Sequence, residues 1–132
     1  MRSEVGDGAV VTKLSPWSMD DTLARLLAVV AAQGMEVFAV IDHSGKARDV
    51  GLAPRKTKVV IFGSASVTTP LIEAAPLAAL DLPFRVAVWE DSHQALVSYL
   101  APAAVARRYG LDGDLATALA VIDALTSAVI DR

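Results

Sequence analysis

An α+β domain is the fold class this sequence predicts, and three observations lead there. Residues 84–90 alternate Phe84/Val86/Val88 against Arg85/Ala87/Trp89, the mark of a strand with two unlike faces. The polar break Asp91-Ser92-His93-Gln94 and a second β run over 95–99 make that strand one half of a hairpin. Flanking segments carry a helical period, most clearly Leu23, Leu26, Leu27 and Val30 at i, i+3, i+4 and i+7. A hairpin set among helical crossovers places helices on one face of a mixed or antiparallel sheet.

The chain has 132 residues, enough for one domain with a core of its own. Apolar residues make up 54% and charged residues 20%, which excludes intrinsic disorder. Twelve Lys and Arg against fifteen Asp and Glu leave a net charge of −3, so no general attraction to phosphate backbones is expected and nucleic acid is not a predicted partner. Cysteine is absent, which removes thiol nucleophiles, disulfides and Cys-based zinc sites. The stretch Met1 to Gly8 carries acids and glycines where a signal peptide needs a basic start. No uninterrupted apolar run approaches the roughly 20 residues of a membrane span. The expectation is a soluble, cytoplasmic protein whose mean hydropathy of +0.47 comes from buried strands and alanine-rich helices.

Along the chain, the β-branched run 9–14 reads as a first strand. Ser18 then caps a helix whose first turn holds Asp20 and Asp21, and Gly34 closes it. Residues 36–42 lack polar alternation in their middle, which predicts a strand covered on both faces. The polar stretch 43–50 has room for one helical turn. Residues 58–62 form a further strand closed by Gly63, and Thr69-Pro70 predicts a helix beginning there. After the hairpin, Pro102 opens a short helix that ends in Arg107-Arg108-Tyr109-Gly110, cations at its negative end. Asp112 or Asp114 caps a last helix over 114–130. No repeat or linker interrupts the chain, so 1–132 is read as a single domain.

The last helix is apolar nearly all round, from Leu115 through Leu119, Ile122 and Leu125 to Ile130. Such a helix is normally buried on more than one side, and one small sheet covers only one. A second copy of the chain is the simplest cover, so a homodimer is predicted. The plainer alternative is that small alanine surfaces tolerate solvent.

Three groupings invite chemistry. The turn Gly63-Ser64-Ala65-Ser66, with Arg55, Lys56 and Lys58, offers hydroxyls and cations to an anion, although ordinary capping explains the same residues. Asp42-His43 and Glu90-Asp91-Ser92-His93 each follow a strand, and imidazole beside carboxylate suits acid–base work. The spacing matches no zinc motif, so neither metal nor cofactor is predicted. Trp89 and Tyr99, on adjoining strands, suit a ligand pocket if they share a face, and core packing otherwise.

The successions Gly34-Met35-Glu36-Val37-Phe38, Ile41-Asp42-His43, Val50-Gly51-Leu52, Val60-Ile61-Phe62-Gly63, Ala79-Leu80-Asp81-Leu82-Pro83, Val88-Trp89-Glu90-Asp91 and Ser98-Tyr99 resemble the DUF302 family, a domain of unknown function, over residues 21–111. The resemblance implies a TATA-binding-protein-like α+β fold, a curved antiparallel sheet backed by helices, and pairing as dimers. It also marks His43, Gly63, Leu82, Pro83, Trp89, Glu90, Asp91 and Tyr99 as recurring positions. The chain departs from the family in having Ser64-Ala65 after Gly63 and Ser92-His93-Gln94 at the hairpin tip.

The leading functional expectation is a homodimeric small-molecule-binding or accessory module, with ligand contacts at His43, Gly63, Ser64, Trp89 and Tyr99. One alternative is an enzyme that uses His43 with Glu90 or Asp91 as acid–base groups or metal ligands. The other is a purely structural interaction protein.

Overall fold

The computed structural model describes residues 9–132. The segment 1–8, which carries part of the reading on targeting, lies outside the described residues. The strands are β1 (Val10–Leu14), β2 (Glu36–Asp42), β3 (Thr57–Gly63), β4 (Phe84–Asp91) and β5 (Gln94–Leu100). The helices are α1 (Met19–Ala32), α2 (His43–Asp49), α3 (Ala65–Ala74), α4 (Pro102–Tyr109), α5 (Gly113–Leu119) and α6 (Val121–Ile130), with a 3-10 turn at Pro76–Leu80. The strands form one sheet in the order β1-β5-β4-β3-β2, with every neighbouring pair antiparallel. The α+β class is the one the alternation and hairpin imply, and the sheet is wholly antiparallel.

β4 is the central strand, and its two faces divide as its sequence does. Phe84, Val86 and Val88 are buried, while Arg85 is exposed and Ala87 and Trp89 are half-buried. Val60, Phe62 and Val97 join the buried side, where α1 and α6 cover them with Leu26, Val30, Leu125 and Val129. Each such side chain contributes about 1.5–3 kcal/mol by leaving water. Ser18 caps α1 by accepting a hydrogen bond from the Asp21 amide (3.0 Å), and Gly34 takes the left-handed conformation that ends it (φ +75°).

Three expectations need correction. β2 is an edge strand rather than a strand covered on both faces. Phe38 and Val40 are 49% and 44% exposed, so its apolar run did not report two-sided burial. α3 begins at Ala65, not at Thr69. Ser64 is its N-cap, and the Ser64 carbonyl accepts from the Val67 and Thr68 amides, which leaves Pro70 inside the helix. The last helix is two helices meeting at Ala120.

Gly113–Ile130 is one 18-residue stretch apolar enough to cross a membrane by length and composition. In the fold, Leu119, Ile122, Leu125 and Val129 are buried against the same chain, and Leu115, Val121 and Ile130 are half-buried against it. The exposed side carries Thr117, Ala120, Asp123, Ala124, Ser127 and Ala128. Small and polar residues face outward there, so this helix needs no second copy to cover it.

The hairpin turns through Ser92 (φ 51°) and His93 (φ 68°), with Asp91 paired to Gln94. Both positions are left-handed, the geometry of a two-residue turn that favours Asn-Gly. A left-handed side chain is disfavoured by roughly 1–2 kcal/mol. The double substitution Ser92→Asn, His93→Gly is therefore expected to stabilise the fold by about 1 kcal/mol and raise Tm by about 2–5 °C. A thermal melt with unchanged or lowered Tm would contradict this account of the turn.

Candidate functional site

The sheet forks. β4 and β5 pair from Asp91/Gln94 up to Ala87/Ser98, and no further. Beyond that point β4 keeps β3, through Arg85/Ile61 and Phe84/Phe62. β5 keeps β1, through Tyr99/Val11 and Leu100/Val10, and Ala101 N–H donates to the Ala9 carbonyl (2.7 Å). A cleft of about 420 Å³ occupies the fork.

The register shows how the cleft is built. Ile41, Val59, Ala87 and Ser98 stand in one row across the helix-free face, and Ile61, Arg85, Leu100 and Val10 lie beside the next row. These residues form the outer part. The inner wall comes from the helix-covered side: Phe84 and Tyr99, then Val105 of α4, Leu119 of α5 and Ile122 of α6, with Asp81 and Leu82 from the loop before β4. The cleft therefore passes between two strands, from an open face toward the core. Its walls are mostly aliphatic, and its polar groups are few, the usual make-up of a small-molecule site.

Two polar clusters fix the walls. Asp81 Oδ2 accepts from Arg108 Nη1 (2.8 Å) and from the Tyr109 hydroxyl (2.6 Å), tying α4 to the loop before β4. The Tyr99 hydroxyl donates to Asp123 Oδ1 (2.5 Å). Lys13 Nζ donates to the Asp123 carbonyl (3.0 Å), Thr126 Oγ1 (2.8 Å) and Ser127 Oγ (3.0 Å), which ties α6 to β1. Burial pulls the Lys13 ammonium below its usual range, and Asp123 partly offsets this.

The residues singled out from sequence fall in several places. His43 and Tyr99 line the cleft; Gly63, Ser64 and Trp89 are not among its lining. His43 is the first residue of α2, which Asp42 caps: Asp42 Oδ1 accepts from Gly45 N–H (2.8 Å) and Ser44 Oγ (2.7 Å). The Gly45 amide, then Ser44, hold the Asp42 carboxyl below its usual range. Gly63 lies at the other end of β3. A Cβ there would stand 3.3 Å from Pro83 Cβ, so its smallness serves the close approach of that loop. The Ser64 hydroxyl shares a hydrogen bond with Ser66 Oγ (2.8 Å).

Trp89 stands one row beyond the cleft on the helix-free face. Its indole N–H donates to Ser98 Oγ (2.9 Å), and Ser98 Oγ also meets Thr12 Oγ1 (2.9 Å). The Arg55 guanidinium lies 5.7 Å from the Trp89 ring and 3.6 Å from Asp91 Oδ1. Trp89 and Tyr99 consequently occupy opposite faces, against the expectation that they share one. Strand register could have revealed this, since 89 pairs with 96 and side chains alternate from 96 to 99.

The other two groupings come apart. β3 separates Ser64 from Lys58, Lys56 and Arg55 by close to its seven-residue length, about 20 Å, so no basic cluster faces the turn. His43 and Glu90 share one end of the sheet. But Asp42 pairs with Lys58 and Lys58 with Val88, so β3 stands between them, and two strand spacings amount to about 10 Å. That exceeds direct hydrogen-bond reach. Among the described residues, no group of three or more His, Asp or Glu is placed to hold a metal. Sequence reading missed Ile41, Val59, Ile61, Arg85 and Leu119 as lining residues, because only the fork brings them together.

Both tyrosine hydroxyls are raised above the usual phenol range. Burial first, and then the Asp123 hydrogen bond, push Tyr99 well above the usual range; the Asp81 hydrogen bond first, and then burial, raise Tyr109. A raised folded value favours the neutral phenol. The stability it confers is full below the unfolded value of about 10 and is lost as pH rises through the folded values. A phenolate absorbance titration of the folded protein is expected to place both ionisations above the unfolded value of about 10. A reversible step there in folded protein would contradict the hydrogen-bond assignments.

The chain is 35% identical over 113 residues to the fluoride-specific ion channel FluC 1 of Brucella suis biovar 1 (strain 1330), covering 83% of this chain and 44% of that protein. The fluoride-specific ion channel FluC 2 of Brucella melitensis biotype 1 matches at 35% over 113 residues and 42% of its length. The chain thus spans less than half the length of these curated relatives. The solved structure of an uncharacterized conserved DUF302 protein from Bacillus stearothermophilus superposes with TM-score 0.79 at 18% identity, covering 94% of this chain and 97% of that one. The family model for the domain of unknown function DUF302 matches residues 11–130, which takes in β1 and the last two helices beyond the 21–111 carried by the motifs, and the chain belongs to that family.

Proposed function

We propose that this chain is a small-molecule-binding accessory module, and that the forked cleft is its binding site. The observation that carries the reading is the parting of β4 from β5 after Ala87/Ser98, where a mostly aliphatic cleft of about 420 Å³ opens. Ligand pockets of roughly 300–1,000 Å³ with apolar walls and few polar groups are the common form of such sites. We take the module to be cytoplasmic and its curved sheet to be of the TATA-binding-protein-like type. An accessory role also suits the channel relatives. Their match to this chain fills less than half of them, and here the apolar stretch 113–130 is packed on its own sheet.

The test uses 1-octanol as a neutral apolar probe, followed by NMR on the full chain. Millimolar probe is expected to shift the amides of Ile61, Ala87 and Leu119, and Ala87→Phe, which fills the outer cleft, is expected to abolish the shifts while keeping a cooperative melt. Unperturbed spectra, or the same shifts in the folded variant, would overturn the reading.

A homodimer is the second reading, and the helix-free face favours it. Leu14 and Leu100, 49% and 37% exposed, stand on the side opposite the helices. The Thr12/Ser98 row lies between them, so each offers a separate apolar contact to a second copy. Light scattering is expected to give a dimer that Leu14→Lys converts to monomer, while Ala124→Glu, on the exposed side of α6, leaves it intact. A monomeric wild type, or a dimer lost only through Ala124→Glu, would refute pairing through the sheet.

A further inference from the structure

We infer that the cleft selects an amphipathic carboxylate, an aliphatic or aryl body bearing one anionic head that Arg85 receives. This rests on reading the cleft as a binding site and names what that site takes. Five lining residues carry polar side chains: His43, Asp81, Arg85, Ser98 and Tyr99. Three are already engaged. Asp81 accepts from Arg108 and Tyr109, Ser98 is held between Trp89 and Thr12, and Tyr99 donates to Asp123. Asp81 is also matched in charge by Arg108.

Arg85 and His43 remain, both exposed at the rim. Among the described residues, no carboxylate lies within ion-pair distance of Arg85. A guanidinium is permanently charged, donates through a planar fork and has no acceptor, so it fits a carboxylate in two-point fashion. On β4 it stands opposite Ile61, where the sheet parts. A ligand whose head meets Arg85 directs its body between the strands, against Leu82, Val105 and Leu119. A neutral apolar molecule fills the same volume but leaves the guanidinium unused. A doubly charged anion would set a second charge against aliphatic walls.

Octanoate and 1-octanol, compared by NMR titration of the full chain, separate the two levels of the inference. Octanoate is expected to bind about tenfold more tightly, in keeping with a charge-assisted hydrogen bond. Arg85→Gln is expected to bring octanoate down to the octanol affinity of the same variant, and Arg85→Lys to restore part of the preference. Equal binding of both probes to wild type, or an undiminished preference in Arg85→Gln, would overturn the carboxylate assignment and leave the cleft as a binding site. Binding of neither probe would overturn both.

Discussion

Phe84, Val86 and Val88 leave β4 on one side, and Arg85, Ala87 and Trp89 on the other; the rest of the molecule is arranged around that division. The first set demands cover, and α1 and α6 supply it with Leu26, Val30, Leu125 and Val129. The second set demands none. Ala87 is too small to fill the space above it, and Arg85 gains by reaching water. A central strand with these two faces gives a sheet backed by α1 and α6 on one side, with Arg85 exposed and Ala87 half-buried on the other.

The fork adds depth to that open face. Where β4 and β5 part, the ladder bonds that adjacent strands would make are forgone, at about 0.5–1.5 kcal/mol each. The parting is held from outside. β4 stays bonded to β3, and β5 to β1, along the parted stretch. The helices behind the gap are fixed in turn, α4 through Asp81 with Arg108 and Tyr109, α6 through Lys13 and through Tyr99 with Asp123. Arg25 of α1 adds a further tie by donating to the Val129 and Asp131 carbonyls at the end of α6 (2.7 and 2.8 Å). Polar contacts that look structural one by one therefore act together to keep an apolar cleft open.

This arrangement explains why residues conspicuous in the chain contribute in different ways. Tyr99 presents its ring to the cleft because its hydroxyl is tied to Asp123. Trp89 sits outside and acts on the cleft through Ser98, whose hydroxyl it holds. Gly63 serves the passage of the Pro83 loop, and Asp42 serves the first turn of α2. The Asp123 and Asp81 carboxylates, unremarkable in the linear pattern, anchor two walls of the cleft.

Local periodicity determined much of this protein. The spacing of Leu23, Leu26, Leu27 and Val30, the Ser18 cap and the Gly34 stop defined α1, and the alternation of 84–90 with the polar tip 91–94 defined the hairpin, because these signals are carried by neighbours in the chain. The family was likewise legible in short runs such as Val88-Trp89-Glu90-Asp91. Strand order was not. The apolar run of β2 looks the same at an edge as in a centre, and the composition of 114–130 does not say whether its own sheet or a second copy covers it. Pairing between β4 and β5 ends after Ala87/Ser98, within both strands, and no local pattern marks where it stops. The tertiary structure alone decided that Ile41, Val59, Arg85, Leu119 and Ile122 meet, since a cleft between strands is a property of long-range register, not of residue type.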